Sequence, residues 1–285
     1  MSRQESMFYP PEQSEREARE ERRMGDEKLQ PRPRGRVSRG QFALLGVVLA
    51  VALLFLLGLG VKEIGTSVQK TTVEPTLSYT VPATSHLVVH TQGGDVQIHE
   101  GGSNTIIIKA TKHSGIFDSD TSKDVSASQN GDTVDVTAQV ENHLFLLGNV
   151  QSYVTLDITV PANCGVQVNS DAGNIDIADA NVQAALHTDA GNITMTDAHL
   201  AGTSSAMTDA GNITFSGSLD ARGSYTFNTK AGNIDVTLPG NDAVNLHAQS
   251  LIGKVDNEFG NAAGSPPQAP VTISTGAGNI TIHKQ

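Results

Sequence analysis

Apolar and polar residues alternate with a period of two through most of the second half of the chain. This alternation is typical of β-strands that bury one face. It lies on both sides of recurring Gly-Asn pairs, as in Val166-x-Val168 before one pair and Ile175-x-Ile177 after it. The pattern therefore predicts an all-β domain in which short strands meet at Gly-Asn turns.

A hexapeptide recurs through this region. Its first copy is Asp171-Ala172-Gly173-Asn174-Ile175-Asp176, and a degenerate copy, Ile252-Gly253-Lys254-Val255-Asp256, precedes the last one. Counted between glycines 173, 191, 211, 232, 253 and 278, the steps are 18, 20, 21, 21 and 25 residues. The predicted structural turn residues are Gly173, Asn174, Gly191, Asn192, Gly211, Asn212, Gly232, Asn233, Gly278 and Asn279.

The repeat length suits a β-solenoid. Roughly 20 residues at about 3.3 Å each fit one circuit, with coils stacked about 4.8 Å apart. Stacking would align the asparagines in a ladder of side-chain amides and the following isoleucines in an aliphatic ladder, with Ile280 in the terminal coil. We expect Gly-Asn to supply positive φ, and the preceding Asp to accept a hydrogen bond from the N–H two residues on. A β-sandwich of successive hairpins is the alternative.

The segment before the repeats carries longer apolar alternations without the hexapeptide, such as Leu156-x-Ile158-x-Val160. An uncovered solenoid end would expose both the core and a strand edge. We therefore expect this segment to begin or cap the stack.

The N-terminal third has a different organisation. Residues 42–61 form an uncharged run that would span roughly 30 Å as a helix. Arginines 32, 34, 36 and 39 precede it, and no A-x-A-like cleavage site follows Val61, which favours an uncleaved signal anchor with a cytoplasmic N-terminus. The predicted organisation is a disordered cytoplasmic tail at 1–40, a transmembrane helix at 41–61, a linker at 62–83 and an extracytoplasmic β-repeat domain at 84–285.

Composition restricts the function classes. The 285 residues carry a net charge of -11, and residues 1–40 hold ten basic and eight acidic residues, so the remainder carries -13. Such a domain repels nucleic-acid phosphates. There is no Trp and there are only 8 Phe and 4 Tyr, which predicts an aliphatic core. The single cysteine, Cys164, excludes an intramolecular disulfide, and we expect it to be a small, partly buried residue.

Few residues suggest chemistry. Asp171, Asp189 and Asp209 could be an acid/base set on a glycan-cutting β-helix, but they occupy equivalent turn positions, so repetition explains them. Lys230 holds the same position in the next repeat and would end this row of carboxylates. His86 and His90 lack a nearby third ligand. We therefore expect no catalytic residues, no metal and no cofactor, and a protein that is not an enzyme.

The run Leu156-x-Ile158-x-Val160-Pro161, followed by Val166-x-Val168 and by repeated Ala-Gly-Asn-Ile turns, resembles the bacterial putative-adhesin family of β-strand repeats. The resemblance covers roughly residues 85–284. It implies a right-handed β-helix-like fold on the cell envelope with adhesion or envelope-stress roles, and it supplies no catalytic residues.

Together these observations predict a single-pass membrane-anchored envelope protein. Its β-solenoid would serve adhesion, binding or structural support, with the membrane and an unknown extracellular glycan or protein as partners and no nucleic acid. The alternative is an envelope-stress or signalling accessory protein whose basic tail contacts an intracellular partner. A glycan-active β-helix enzyme is the third class.

Overall fold

Parallel strands stacked on two sides of an apolar core form the domain. The computed structural model describes residues 69–115, 125–139, 152–260 and 268–285. Its twenty strands within these ranges belong to one curled sheet. The predicted all-β class is therefore confirmed.

Most strands fall into two parallel stacks whose spatial order differs from the chain order. In spatial order, side A consists of β7 (Thr133–Ala138), β3 (His86–Thr91), β9 (Cys164–Ala172), β11 (Asn181–Ala190), β13 (Thr203–Ala210), β15 (Ser224–Ala231), β19 (Ala269–Ala277) and β17 (Val244–Ile252). Side B consists of β8 (Tyr153–Val160), β4 (Val96–Glu100), β10 (Ile175–Ala178), β12 (Ile193–Leu200), β14 (Ile213–Leu219), β16 (Ile234–Leu238), β20 (Ile280–Lys284) and β18 (Val255–Asn257). One strand of each side makes one coil of a solenoid-like domain.

Equivalent residues of successive repeats lie directly beside one another. Ile175 pairs with Ile193, and Ile193 pairs with Ile213, each in a parallel register. The same row continues through Ile234 and Ile280, and all five side chains are at most 1% exposed. This row is the predicted aliphatic ladder. A sandwich of hairpins is wrong, because successive repeats pair in parallel and not as antiparallel neighbours.

The coils do not stack in chain order at either end. The coil of β19 and β20 lies between the coil of β15 and β16 and the coil of β17 and β18. Likewise, β3 and β4 lie between β7 and β8 on one side and β9 and β10 on the other. The expectation that Ile280 belongs to the terminal coil is therefore wrong.

Burial explains this order at the C-terminal end. The coil of β19 and β20 supplies Val271, Ile273, Ile280 and Ile282, all at most 1% exposed, and such a coil gains most when both of its faces are covered. In the same rows, the coil of β17 and β18 has Leu246, Ala248, Val255 and Asn257. This coil has less apolar surface to bury, so its position at the end of the stack costs less free energy.

Antiparallel strands cover the opposite end, as expected for the segment before the repeats. On side B, β5 (Thr105–Gly115) pairs with β8 and with the short strands β1 (Gln69–Val73) and β2 (Leu77–Thr80). On side A, β6 (Val125–Asn130) pairs with β7. The Tyr79 hydroxyl donates to the Ala127 carbonyl at 2.8 Å, and Gln129 Nε2 donates to the Thr80 carbonyl at 2.9 Å, so the two covers are joined across the end.

The core is aliphatic apart from a small aromatic group. Phe215 and Phe227 pack with ring centroids 5.4 Å apart, and Tyr225 is also fully buried. The Tyr225 hydroxyl donates to the Leu200 carbonyl at 2.8 Å, and burial, followed by nearby Asp220, raises the pKa of Tyr225 to about 12. Cys164 is buried completely, which is deeper than expected, and burial raises the pKa of its thiol.

The predicted tail, transmembrane helix and most of the linker lie outside the described residues. Within the part of the chain that the structure describes, no helix reaches the length and hydropathy that a bilayer crossing requires.

The stacking order has a measurable consequence for stability. We expect Ile280→Ala and Ile213→Ala each to lower the free energy of unfolding by about 2 to 5 kcal/mol, because both side chains are enclosed by coils on two sides. Val255→Ala should cost less than about 1 kcal/mol, since this side chain is 44% exposed in the end coil. Chemical denaturation checks all three variants. A larger loss for Val255→Ala than for Ile280→Ala would contradict the order.

Candidate functional site

The Gly-Asn corners join the two sides, and hydrogen bonds from side chains link each corner to the next. The backbone N–H of Asn192 donates to Asn174 Oδ1 at 3.0 Å, and the N–H of Asn212 donates to Asn192 Oδ1 at 2.8 Å. The same bond joins Asn233 to Asn212 and Asn279 to Asn233, each at 2.8 Å. The predicted asparagine ladder is therefore present, although the principal donors are backbone N–H groups and not side-chain amides.

A buried row of hydroxyls completes the corner, and the sequence reasoning missed it. Thr208 Oγ1 donates to the carbonyl of Gly191 at 2.9 Å, and Thr229 Oγ1 donates to that of Gly211 at 2.9 Å. Further bonds of this kind come from Thr188, Thr275 and Ser250. A Ser or Thr three residues before each corner glycine was the available signal. Asparagine and threonine together replace the backbone pairing that the bend interrupts.

The corner glycines are required by close contact between coils. A Cβ at Gly211 would overlap the carbonyl oxygen of Gly191, and a Cβ at Gly232 would overlap that of Gly211. The expected positive φ is found at Gly232, at 156°, but not at the corner asparagines: among described non-glycine residues it occurs at Asn163, Asp179 and Asp197. The corner asparagines therefore serve as acceptors and not as turn formers.

The expectation that each aspartate accepts a hydrogen bond from the N–H two residues on is also wrong. The N–H of Gly173 donates to the carbonyl of Ala190, and the N–H of Gly191 donates to that of Ala210. These glycine N–H groups donate to carbonyls of the next coil, because the strands of side A stay paired in register up to the corner. They are therefore not available to the aspartates.

The ladder ends differently at its two extremes. At the N-terminal side, Asp95 Oδ1 accepts from the backbone N and from Nδ2 of Asn174, at 2.9 and 3.0 Å. At the C-terminal side, the N–H of Lys254 donates to Asn279 Oδ1 at 3.0 Å. Close by, burial raises the pKa of Asp176, a hydrogen bond from Thr194 lowers it, and the charge of Asp95 raises it.

The predicted carboxylate row stands beside these corners. The pairing of alanines 172, 190, 210 and 231 places Asp171, Asp189, Asp209 and Lys230 on successive coils. Lys230 Nζ lies 2.6 Å from Asp209 Oδ2, so the lysine ends the row as expected. Since these side chains are 72% and 39% exposed, the ion pair contributes at most about 1 kcal/mol.

This row does not resemble an enclosed acid/base pair. Asp189 Oδ1 lies 3.0 Å from His187 Nε2 with the carboxylate side chain 61% exposed, so a substrate there would remain in water. His86 and His90 both face outward from β3, about 13 Å apart along the strand, which is too far to share a metal ion.

The outward side chains of side A that precede the carboxylate row form the candidate functional site, which we name the uncharged face. They lie two by two on β9, β11, β13, β15 and β19, and none of them is Asp, Glu, Lys or Arg: Gln167, Asn169, Ala185, His187, Ser205, Met207, Thr226, Asn228, Thr272 and Ser274. Five strands at about 4.8 Å spacing give a strip about 19 Å long, and its side chains other than Ala185 and Met207 can donate or accept hydrogen bonds. Such a strip can hydrogen-bond an extended polar chain at many points.

Residues 84–221 match the profile of the Toastrack DUF4097 domain. We call this part of the chain the Toastrack segment. The resemblance to putative adhesins is thereby confirmed at the level of a β-rich repeat domain of unknown function. The Toastrack segment holds most of the uncharged face, from β9 to β13.

Solved structures similar to the chain have low sequence identity. A putative cell adhesion protein from Clostridium sporogenes is 11% identical, with a TM-score of 0.48 over 76% of this chain and 100% of that chain. A putative adhesin from Bacteroides fragilis is 11% identical, with a TM-score of 0.31 over 75% and 97%. A putative lipid binding protein from Parabacteroides distasonis is 13% identical, with a TM-score of 0.23 over 73% and 96%. The comparison with curated proteins gives no match.

The ladder predicts an asymmetry between substitutions at one position. Asn212→Ala should lower the free energy of unfolding by about 1 kcal/mol, because the N–H of Asn233 loses its acceptor. Asn212→Asp should cost clearly less, since a carboxylate oxygen accepts the same bond, as Asp95 does naturally. Denaturant unfolding measures both, with Asn169→Ala on the uncharged face as control. Equal losses for the two substitutions would mean that the oxygen acceptor is unimportant.

Proposed function

We propose that the chain is a single-pass membrane-anchored envelope protein that binds an extended polysaccharide along the uncharged face. The Toastrack domain would act as a rigid, non-catalytic binding surface outside the cell. The observation that carries this proposal is the uncharged face itself. It contrasts with the rest of the domain, because the chain beyond residue 40 has a net charge of -13.

The chemistry of the face favours a hydroxyl-rich ligand. Amides, hydroxyls and an imidazole both donate and accept hydrogen bonds, as the hydroxyls of a sugar chain do. None of the ten residues of the face is Phe, Tyr or Trp, so stacking on such rings contributes nothing. Each hydrogen bond contributes only about 0.5 to 1.5 kcal/mol, so useful affinity requires a ligand that contacts several coils.

The anchoring part of the proposal rests on the sequence. The uncharged run at 42–61 and the arginines that precede it favour a span with the N-terminus inside and the repeat domain outside.

Binding can be tested with the full chain in membrane vesicles and purified peptidoglycan sacculi as the probe. We expect co-sedimentation, and the double variant Asn169→Ala, Asn228→Ala should weaken it about tenfold, because two positions on the face lose their hydrogen bonds. The matched control is Thr214→Ala, Thr237→Ala on the outer surface of side B. Circular dichroism verifies the fold of both.

Loss of binding in the control to the same extent would contradict recognition by the uncharged face. Failure of the wild-type chain to sediment with sacculi, together with capture of a protein ligand by the same face, would replace the polysaccharide with a protein. A phenotype that requires residues 1–30 but not the uncharged face would favour the signalling alternative.

The proposed topology makes a separate prediction. Protease added outside intact cells should remove the repeat domain and leave a membrane-bound fragment of roughly seventy residues, because the arginines hold the N-terminus inside. Immunoblotting with tags at both termini shows which end survives. Protection of the C-terminal tag in intact, but not lysed, cells would reverse the orientation.

A further inference from the structure

The two ends of the solenoid differ in how well they are closed. At the N-terminal end, Val134, Val136, Val154 and Leu156 of the first coil are at most 1% exposed, because β5 and β6 lie against them. At the C-terminal end, β17 pairs with β19 and β18 pairs with β20, and no strand among the described residues lies on their outer sides. In the described part of the chain, the outer side of the end coil is thus unpaired at the C-terminal end.

This edge has large apolar residues at positions where the neighbouring coils have polar or small residues. Leu251 and Ile252 are 75% and 73% exposed. Ile252 pairs with Ala277, and the row of Leu251 is occupied by Gly276 and Lys230 in the two coils before it. With Val255, at 44%, three of the five exposed large apolar residues in the described part of the chain lie in this single coil. Natural sheets usually protect such edges with lysine, proline or a bulge, and β17 contains neither proline nor lysine.

The charge of the edge indicates what can approach it. Residues 244–257 contain one basic and one acidic residue, Lys254 and Asp256, and therefore have no net charge with histidine neutral. The chain as a whole has a net charge of -11. Two copies that met at any strongly acidic surface would repel each other, whereas two copies that meet at this edge would not.

We propose that this edge binds a second copy of the chain. Two β17 strands related by a two-fold axis perpendicular to them are antiparallel, so they can form a hydrogen-bonded ladder and bury the exposed leucine and isoleucine of both copies. The contact is isologous, so it uses the β17 edge of both copies at once. The assembly is therefore a dimer that closes on itself and not a filament. Such a dimer forms whether or not a ligand occupies the uncharged face.

The decisive experiment measures the mass of the full chain in detergent by sedimentation across a range of concentrations. We expect a monomer–dimer equilibrium, and Leu251→Asp, Ile252→Asp should weaken it by about tenfold or more, because four like charges would face one another. Met207→Asp, which also replaces an exposed apolar residue, but on the uncharged face, is the matched control and should leave the equilibrium unchanged. Thermal unfolding distinguishes loss of association from loss of folding.

Cysteine crosslinking supplies a second readout. The native Cys164 is buried, so a cysteine introduced at 245, 247, 249 or 251 would be the accessible thiol. In an antiparallel pair, only the position next to the two-fold axis meets its own copy, so disulfide-linked dimer should peak at one of the four.

Three results would overturn the inference. A wild-type chain that remains monomeric at all concentrations removes the interface. A dimer that survives the double aspartate variant places the interface elsewhere, for example in residues 41–61. Species that grow beyond the dimer with concentration contradict closure by a two-fold axis.

Discussion

The corner at which each coil turns from side A to side B is the constraint on which the structure depends. Parallel strands can continue their pairing only if the bend leaves no backbone group without a partner. The N–H of each corner asparagine is satisfied by a side-chain oxygen of the neighbouring coil, and each corner glycine carbonyl is satisfied by a buried hydroxyl, as at Asn212 and Gly191. The absence of a Cβ at glycine allows the corners to approach closely enough for both bonds.

Because the corners fix the register, every other row follows from them. The same geometry that aligns isoleucines 175, 193 and 213 inside the core aligns aspartates 171, 189 and 209 on the outside. Stacking thus places the residues at equivalent positions of successive repeats in one row. The carboxylate row arises in this way. The two rows of the uncharged face are aligned by the same register, although their residue types differ from coil to coil.

The first and last coils of a stack have a neighbouring coil on one side only, so their core and strand edges are open to solvent unless other strands cover them. At both ends, one coil is inserted between two coils that are neighbours in sequence. At the N-terminal end this places antiparallel strands on the outside, joined through Tyr79 and Gln129. At the C-terminal end it encloses Ile280 and leaves the weaker coil, with Leu251 and Ile252, exposed. Among the described residues, the coil left at this end is the one with the less apolar core rows.

The sequence by itself determined the all-β class, the repeat length, the aliphatic row and the position of the asparagine ladder, because each depends on local alternation and on identical residues at regular spacing. It also placed Lys230 next to Asp209 through register alone. The tertiary structure decided what periodicity cannot encode. The order of the outer coils depends on which coil buries more apolar area, the hydroxyl row depends on contacts between coils, and the role of the asparagines depends on which backbone groups the bend leaves unpaired. These features depend on contacts between segments that are distant in the chain. The repeated hexapeptide does not encode them, because its sequence is the same whichever coil packs beside it.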